Sequence, residues 1–178
     1  MQFITERLLL RPWQAADLQA FAAMNADPEV MRYYPSTLSF AETEAFFKSI
    51  QTEFMKEGLG FWACTEKTTQ QFMGYLSLCR PSFTTQFTPC VEIGWRLAKN
   101  FWNRGYATEG AKALLNYGFK VLALKEIVSF TSLSNFPSQR VMQKLGMHSD
   151  PKENFLNPRL TADHPLAWHC LYRLSANS

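Results

Sequence analysis

Apolar and polar positions along the chain change their period several times, and each change predicts an element. Leu8, Leu9 and Leu10, flanked by Arg7 and Arg11 and stopped by Pro12, read as a first strand. Behind Asp17, a residue suited to capping, Leu18, Phe21, Ala22 and Met24 recur at helical spacing to about Asn25. Asp27, Pro28 and Glu29 open a short helical turn ending near Tyr33, Tyr34 and Pro35. Ser39 with Glu42 three residues on is a capping-box pattern, and predicts a third helix to about Lys56, ended by Gly58 and Gly60. Strand patterns follow at Phe61–Thr65, Phe72–Cys79 and Val91–Leu97, the last two joined by a Ser-, Thr- and Pro-rich segment, 80–89, that reads as a long hairpin loop. A helix is predicted from Ala107 to about Val121, a strand over Glu126–Thr131, and a helix from about Pro137 that Gly146 closes. Pro151, Pro158 and Pro165 divide the tail, and Leu166–Leu174 reads as a final strand. The sum is an α+β fold: a mostly antiparallel sheet with helices on both faces. The strand–helix–strand unit around Gly105 supplies its one parallel pair.

Composition narrows the class. A chain of 178 residues with 47% hydrophobic content can bury one sizeable core, so a single domain over 1–178 is expected. A net charge of +3 without any Lys/Arg block argues against nucleic acid, while leaving room for a polyanionic small molecule. No stretch has the apolar length of a membrane span, and the first residues pattern as strand rather than signal peptide. Cys64, Cys79, Cys90 and Cys170 show no Cys-x-x-Cys spacing and no clustering with histidine, which predicts reduced thiols in a cytoplasmic protein and no metal site. His148, His164 and His169 read as structural.

The segment Trp102, Asn103, Arg104, Gly105, Tyr106, Ala107, Thr108, Glu109 carries the first chemical signal. A basic, glycine-containing turn entering a helix leaves backbone N–H groups unpaired at the positive end of the helix dipole, which suits a phosphate. Gly105 and Ala107 allow close approach and Arg104 adds charge. Many loops have this composition, so the segment alone also reads as an ordinary helix start.

Taken together, the strand, the Asn103–Ala107 turn, the helix, the next strand, the segment Asn135, Phe136, Pro137, Ser138, and the closing Lys144, Leu145, Gly146, Met147 resemble the acyl-CoA core of GNAT N-acetyltransferases. The beginning (Thr5 to Pro12, then Asp17 and Leu18) and the end (His164 to Leu166, then His169 to Leu174) are similar to the branch containing ribosomal-protein N-terminal acetyltransferases. The resemblance implies acetyl transfer from acetyl-CoA to an amine, with a protein N-terminus or a small amine as acceptor, in a monomer or homodimer. It assigns the CoA phosphates to the amides of Asn103, Arg104, Gly105, Tyr106, Ala107 and Thr108, and the pantetheine arm to the strand at Trp95, Arg96 and Leu97. The family usually has Gln or Arg where Trp102 stands here, a departure with little consequence for a loop that acts through its backbone.

Glu92, interrupting an apolar strand, takes the general-base position of the resembling enzymes; strand alternation alone also allows it to face solvent. Glu109 is the rival carboxylate, and its place in a first helical turn suits a structural role. Met142 occupies a position where many of these enzymes have a proton-donating tyrosine. Ser138 is then the candidate donor to the CoA sulfur, with a local backbone bond as the plain alternative. Asn135 is a helix cap, a pantetheine ligand, or both. Arg140 and Lys144, one turn apart, reach for a phosphate or form a solvated face. Tyr33, Tyr34 and Trp62 are expected over the acceptor, or in the core. A CoA-binding sensor without activity is a remaining alternative; a nucleotide-binding module lacks the phosphate-loop and Mg²⁺ motifs.

Overall fold

A computed structural model describes residues 1–53 and 56–176. It is an α+β fold built on one sheet of nine strands: β1 (Phe3–Ile4), β2 (Leu8–Arg11), β3 (Gly60–Glu66), β4 (Phe72–Cys79), β5 (Glu92–Leu97), β6 (Glu126–Ser132), β7 (His148–Ser149), β8 (Phe155–Leu156) and β9 (Trp168–Ser175). The order is β1-β2-β3-β4-β5-β6-β9-β7, with β8 also on β9. Every pairing is antiparallel except β5 with β6. The short strands β1, β7 and β8 escape a periodicity reading because two residues cannot display a period.

Among the described residues the α-helices are α1 (Asp17–Ala26), α2 (Pro28–Met31), α3 (Phe40–Glu53), α4 (Tyr106–Lys120) and α5 (Phe136–Lys144). On one face, α4 and α5 close a core containing Leu8, Leu10, Trp62, Cys64, Leu76, Ile93, Leu114 and Met142. On the other, α1 and α3 pack Phe21, Met24, Phe47 and Ile50 against Trp13, Ala63 and Tyr75. Strand alternation assigns the faces: Trp62 and Cys64 point to the first core, Phe61 and Ala63 to the second.

The caps explain where several helices begin. Ser39 Oγ accepts from the Glu42 N–H while Glu42 Oε2 accepts from the Ser39 N–H, a reciprocal capping box. α3 is described as far as Glu53, and residues 56–58, where its predicted end fell, form a 3₁₀ turn. Asp17 does not cap α1 as expected. It is the first helical residue, almost fully buried, and both its oxygens accept from the Arg11 guanidinium at 2.7 Å. A nearby cation outcompetes the helix end for that carboxylate. Asn135 caps α5 by accepting from the Ser138 N–H, and Gly146, at φ +81°, takes the left-handed conformation that ends it.

Candidate active site

The parallel pair holds together only at its start. Glu92 aligns with Val128, the Val128 N–H donates to the Val91 carbonyl at 2.9 Å, and Ser129 Oγ donates to the Ile93 carbonyl at 2.9 Å. Beyond that point β5 continues to Leu97 without a partner strand on this side among the described residues, while β4 pairs it along its whole length on the other. The Ala98 N–H donates to the Met73 carbonyl, which fixes the alternation: Arg96, Gly94 and Glu92 bond toward β4, and Trp95 and Leu97 turn their main-chain groups to the open side. Trp102 Nε1 donates to the Leu97 carbonyl at 2.7 Å, so Trp95 is the residue that presents both N–H and C=O to the gap.

Two cavities meet there. The smaller, about 340 Å³, runs from Trp95 and Leu97 along the α4 entrance, past Asn103, Gly105, Tyr106, Ala107 and Thr108, to Ser138, Arg140 and Lys144 of α5. Gly105 stands at the helix entrance with φ +81°, and its carbonyl accepts the first helical bond, from the Glu109 N–H. The amides of Tyr106, Ala107 and Thr108 precede that bond and are the unpaired donors of the first turn. The larger cavity, about 670 Å³, lies on the other side of Trp95 and is walled by Tyr33, Tyr34, Phe46, Phe61 and Tyr75, with Glu92 and Gly94 of β5 in its lining. Tyr33, Tyr34, Trp95, Arg96, Asn135 and Ser138 border both.

Glu92 is set into the wall of the larger cavity. Burial pushes its carboxyl up to about 8, with Arg159 in the same cavity lining pulling the other way. The missing side chain at Gly94 makes room for Ser77, whose Oγ would stand 2.9 Å from a Cβ there. Glu109 is bound up elsewhere. It accepts from Thr5 Oγ1, the Arg7 N–H and Arg7 Nε at 2.6–2.8 Å, and although burial opposes its charge, these bonds hold its carboxyl below the ordinary range. It ties the N-terminal strands to α4.

Other expected site residues fall differently. Trp62 is fully buried, packed edge-on to Phe3 and Tyr117 in the α4 core, so the cavity wall belongs to its neighbour Phe61. A shift of one position along a strand exchanges faces. Arg104 does not line either cavity; its carbonyl accepts from Arg7 Nη1, and its side chain is exposed. The Tyr106 side chain is buried and donates to Glu66, leaving only its amide for the loop. Arg96 turns its guanidinium away from the phosphate end: Nη1 donates to Asn25 Oδ1 at 2.7 Å, and its Cζ sits 3.9 Å from the Tyr34 ring centre. Met142 is core, 1% exposed. Sequence reasoning missed Arg32, which lines the smaller cavity and lies against Tyr33 and Trp102, and Arg159, isolated between prolines in the tail. Neither has a periodic signal.

Comparisons with known proteins show the family and the fold. Residues 7–148 match the family described as acetyltransferase (GNAT) domain. The chain is 32% identical over 150 residues to the uncharacterized N-acetyltransferase YnaD of Bacillus subtilis, covering 84% of each chain. It is 31% identical over 153 residues to the FsC-acetyl coenzyme A-N(2)-transacetylase of Aspergillus fumigatus, covering 80% of this chain and 63% of that protein. Among solved structures, a GNAT-family acetyltransferase from Bacillus anthracis superposes with a TM-score of 0.82 at 25% identity, covering both chains completely. A ribosomal-protein-serine acetyltransferase structure from Vibrio cholerae shares the fold, with a TM-score of 0.78 at 20% identity over 98% of this chain and 97% of its own.

Proposed function

The chain belongs to the GNAT acetyltransferase family, and from that premise we propose that it moves an acetyl group from acetyl-CoA to a primary amine, a protein N-terminus or a small amine, by direct transfer in a ternary complex. The observation that carries this reading is the meeting of the two cavities on one strand. Trp95 offers open main-chain groups to the smaller, and Glu92, three residues away, offers a raised-pKa carboxyl to the larger.

The residues fit the donor. The unpaired first-turn amides of α4, the tight entrance at Gly105, and Arg140 and Lys144 across the cavity suit the phosphates. The N–H and C=O of Trp95 suit the amides of the pantetheine arm. When bound, acetyl-CoA supplies an acetyl thioester, an acyl group already open to attack by nitrogen.

Glu92 removes the amine proton, for which a carboxyl near 8 is better matched to neutral pH than an ordinary one. Ser138, in the first turn of α5 where the cavities join, donates to the departing sulfur, and Asn135 fixes that turn by capping it. Cys79 lines the larger cavity, but burial pushes its thiol up to about 12, which supports direct attack by the amine over an acyl-cysteine.

The test is a coupled free-thiol assay with acetyl-CoA and a panel of primary amines and N-terminal peptides. Amine-dependent thiol release above the rate without amine supports the reading. Thiol release that no amine accelerates overturns it.

A further inference from the structure

The larger cavity carries more positive charge than its own acids offset. Its charged lining residues are Glu57, Arg80, Glu92, Arg96 and Arg159. Arg80 and Glu57 pair at 3.1 Å and cancel. Arg96, 8% exposed, is held by the neutral Asn25 and by the faces of Tyr34 and Tyr75, and Arg159 donates through Nη2 to the Ser82 hydroxyl while lying 5.0 Å from the Phe83 ring centre. Neither guanidinium has an acidic partner among the described residues.

Arg159 is exposed at the cavity mouth, and its main chain is anchored beside the lining. Its main-chain N–H donates to Asn157 Oδ1 at 3.0 Å, and Asn157 is itself in contact with His169 at 3.2 Å in the same cavity lining. An exposed guanidinium that meets one hydroxyl and one ring keeps further donors in a planar fork, and a carboxylate is the group that matches such a fork with two parallel hydrogen bonds. A second cation in the acceptor, by contrast, meets two guanidiniums against the single Glu92 carboxylate.

Resting on the acetyl-transfer reading, we propose that the amine acetylated here also carries a carboxylate, which Arg159 receives while Arg96 adds to the field from behind Tyr34. Arg159 and Glu92 line the same cavity, so one acceptor can reach both, its amine toward Glu92 and its carboxylate toward Arg159. Polyamines and other polycationic amines are the acceptors this charge balance disfavours.

The test uses matched pairs: glycine, phenylalanine and 6-aminohexanoate, each against its carboxamide, with acetyl-CoA and thiol release as readout. The quantity read is the ratio of kcat/KM for the acid to that for the amide, in the unaltered protein and in Arg159→Gln. Dividing one ratio by the other cancels each amine's own basicity. An exposed charge pair predicts that Arg159→Gln lowers the ratio by about 2- to 5-fold in at least one pair. A ratio that Arg159→Gln leaves unchanged in all three pairs overturns the carboxylate proposal while leaving acetyl transfer standing. If no amine turns over at all, acetyl transfer itself fails, and calorimetric titration of the same acids then decides the charge proposal. Weaker binding of the acid, but not of its amide, by Arg159→Gln supports it, and equal binding overturns it.

Discussion

Replacing Glu92 by Gln should produce a protein that is more stable and far less active. The carboxyl is raised from 4.5 to about 8 because burial disfavours its charge. A folded-state value above the unfolded one means the folded chain binds the extra proton between those limits. Its contribution is therefore favourable at low pH and is lost as pH rises through about 8. A full shift of that size corresponds to roughly 5 kcal/mol, and water in the open cavity reduces the realised penalty to a few kcal/mol. Gln removes the penalty, so Glu92→Gln should gain about 1–3 kcal/mol in urea unfolding at pH 9 relative to the parent, a gain that disappears toward pH 5.

Activity should move the opposite way. Near pH 7 about a tenth of Glu92 is ionised if it titrates near 8, so parent turnover should climb from pH 6 to 9. Removing the base should cost about 10²–10⁴-fold at neutral pH, a loss that narrows at high pH as the amine deprotonates unaided. Acetyl-CoA binding should not change. The assays are thiol release across pH and urea denaturation at pH 5, 7 and 9. Near-normal turnover throughout, or destabilisation by Gln at pH 9, would refute the reasoning.

Three further substitutions separate binding, leaving-group and structural roles. Gly105→Val, forced to φ +81° at the α4 entrance, should remove most of the thermal stabilisation by acetyl-CoA, about 2.7 kcal/mol at a hundredfold excess over its Kd; a full shift in the folded variant would take the phosphates away from this loop. Ser138→Ala should lower kcat by less than Glu92→Gln does and leave cofactor affinity unchanged, whereas a lowered Tm with normal kcat would make it a helix-start residue only. Glu109→Gln should lower Tm with little effect on kcat, a difference of about 1–2 kcal/mol at pH 7 by urea unfolding. Because the Glu109 carboxyl is held low in the folded chain, that difference should fade as pH drops through the carboxylate range; an equal deficit at pH 3 would contradict it.

The sequence made some features legible because they are written in short-range chemistry. The Ser39–Glu42 box, the Asn135 cap and the Gly146 stop each depend on residues within four positions, and all three appear where expected. So does the glycine turn into α4. What depends on facing or on distant partners was not legible. Trp62 and Phe61 differ by one step of a strand, and only the packing of α4 against one face decides which of them meets the cavity. Asp17 looked like a cap until Arg11 came within 2.7 Å. The Arg96 side chain could not be aimed without Tyr34 and Asn25, which come from separate elements. Arg159 gains its place in the cavity through Ser82, 77 positions away.

The most direct test of the central claim is intact-mass measurement of both protein and acceptor after incubation with isotopically labelled acetyl-CoA. The protein is sampled before and after a reactive amine is added. The account predicts an unlabelled protein at both times and one labelled acetyl group on the amine nitrogen, at a rate that Glu92→Gln suppresses. Label on the protein before amine addition that is then passed to the amine, or an acceptor acetylated at the same rate by Glu92→Gln, would contradict it.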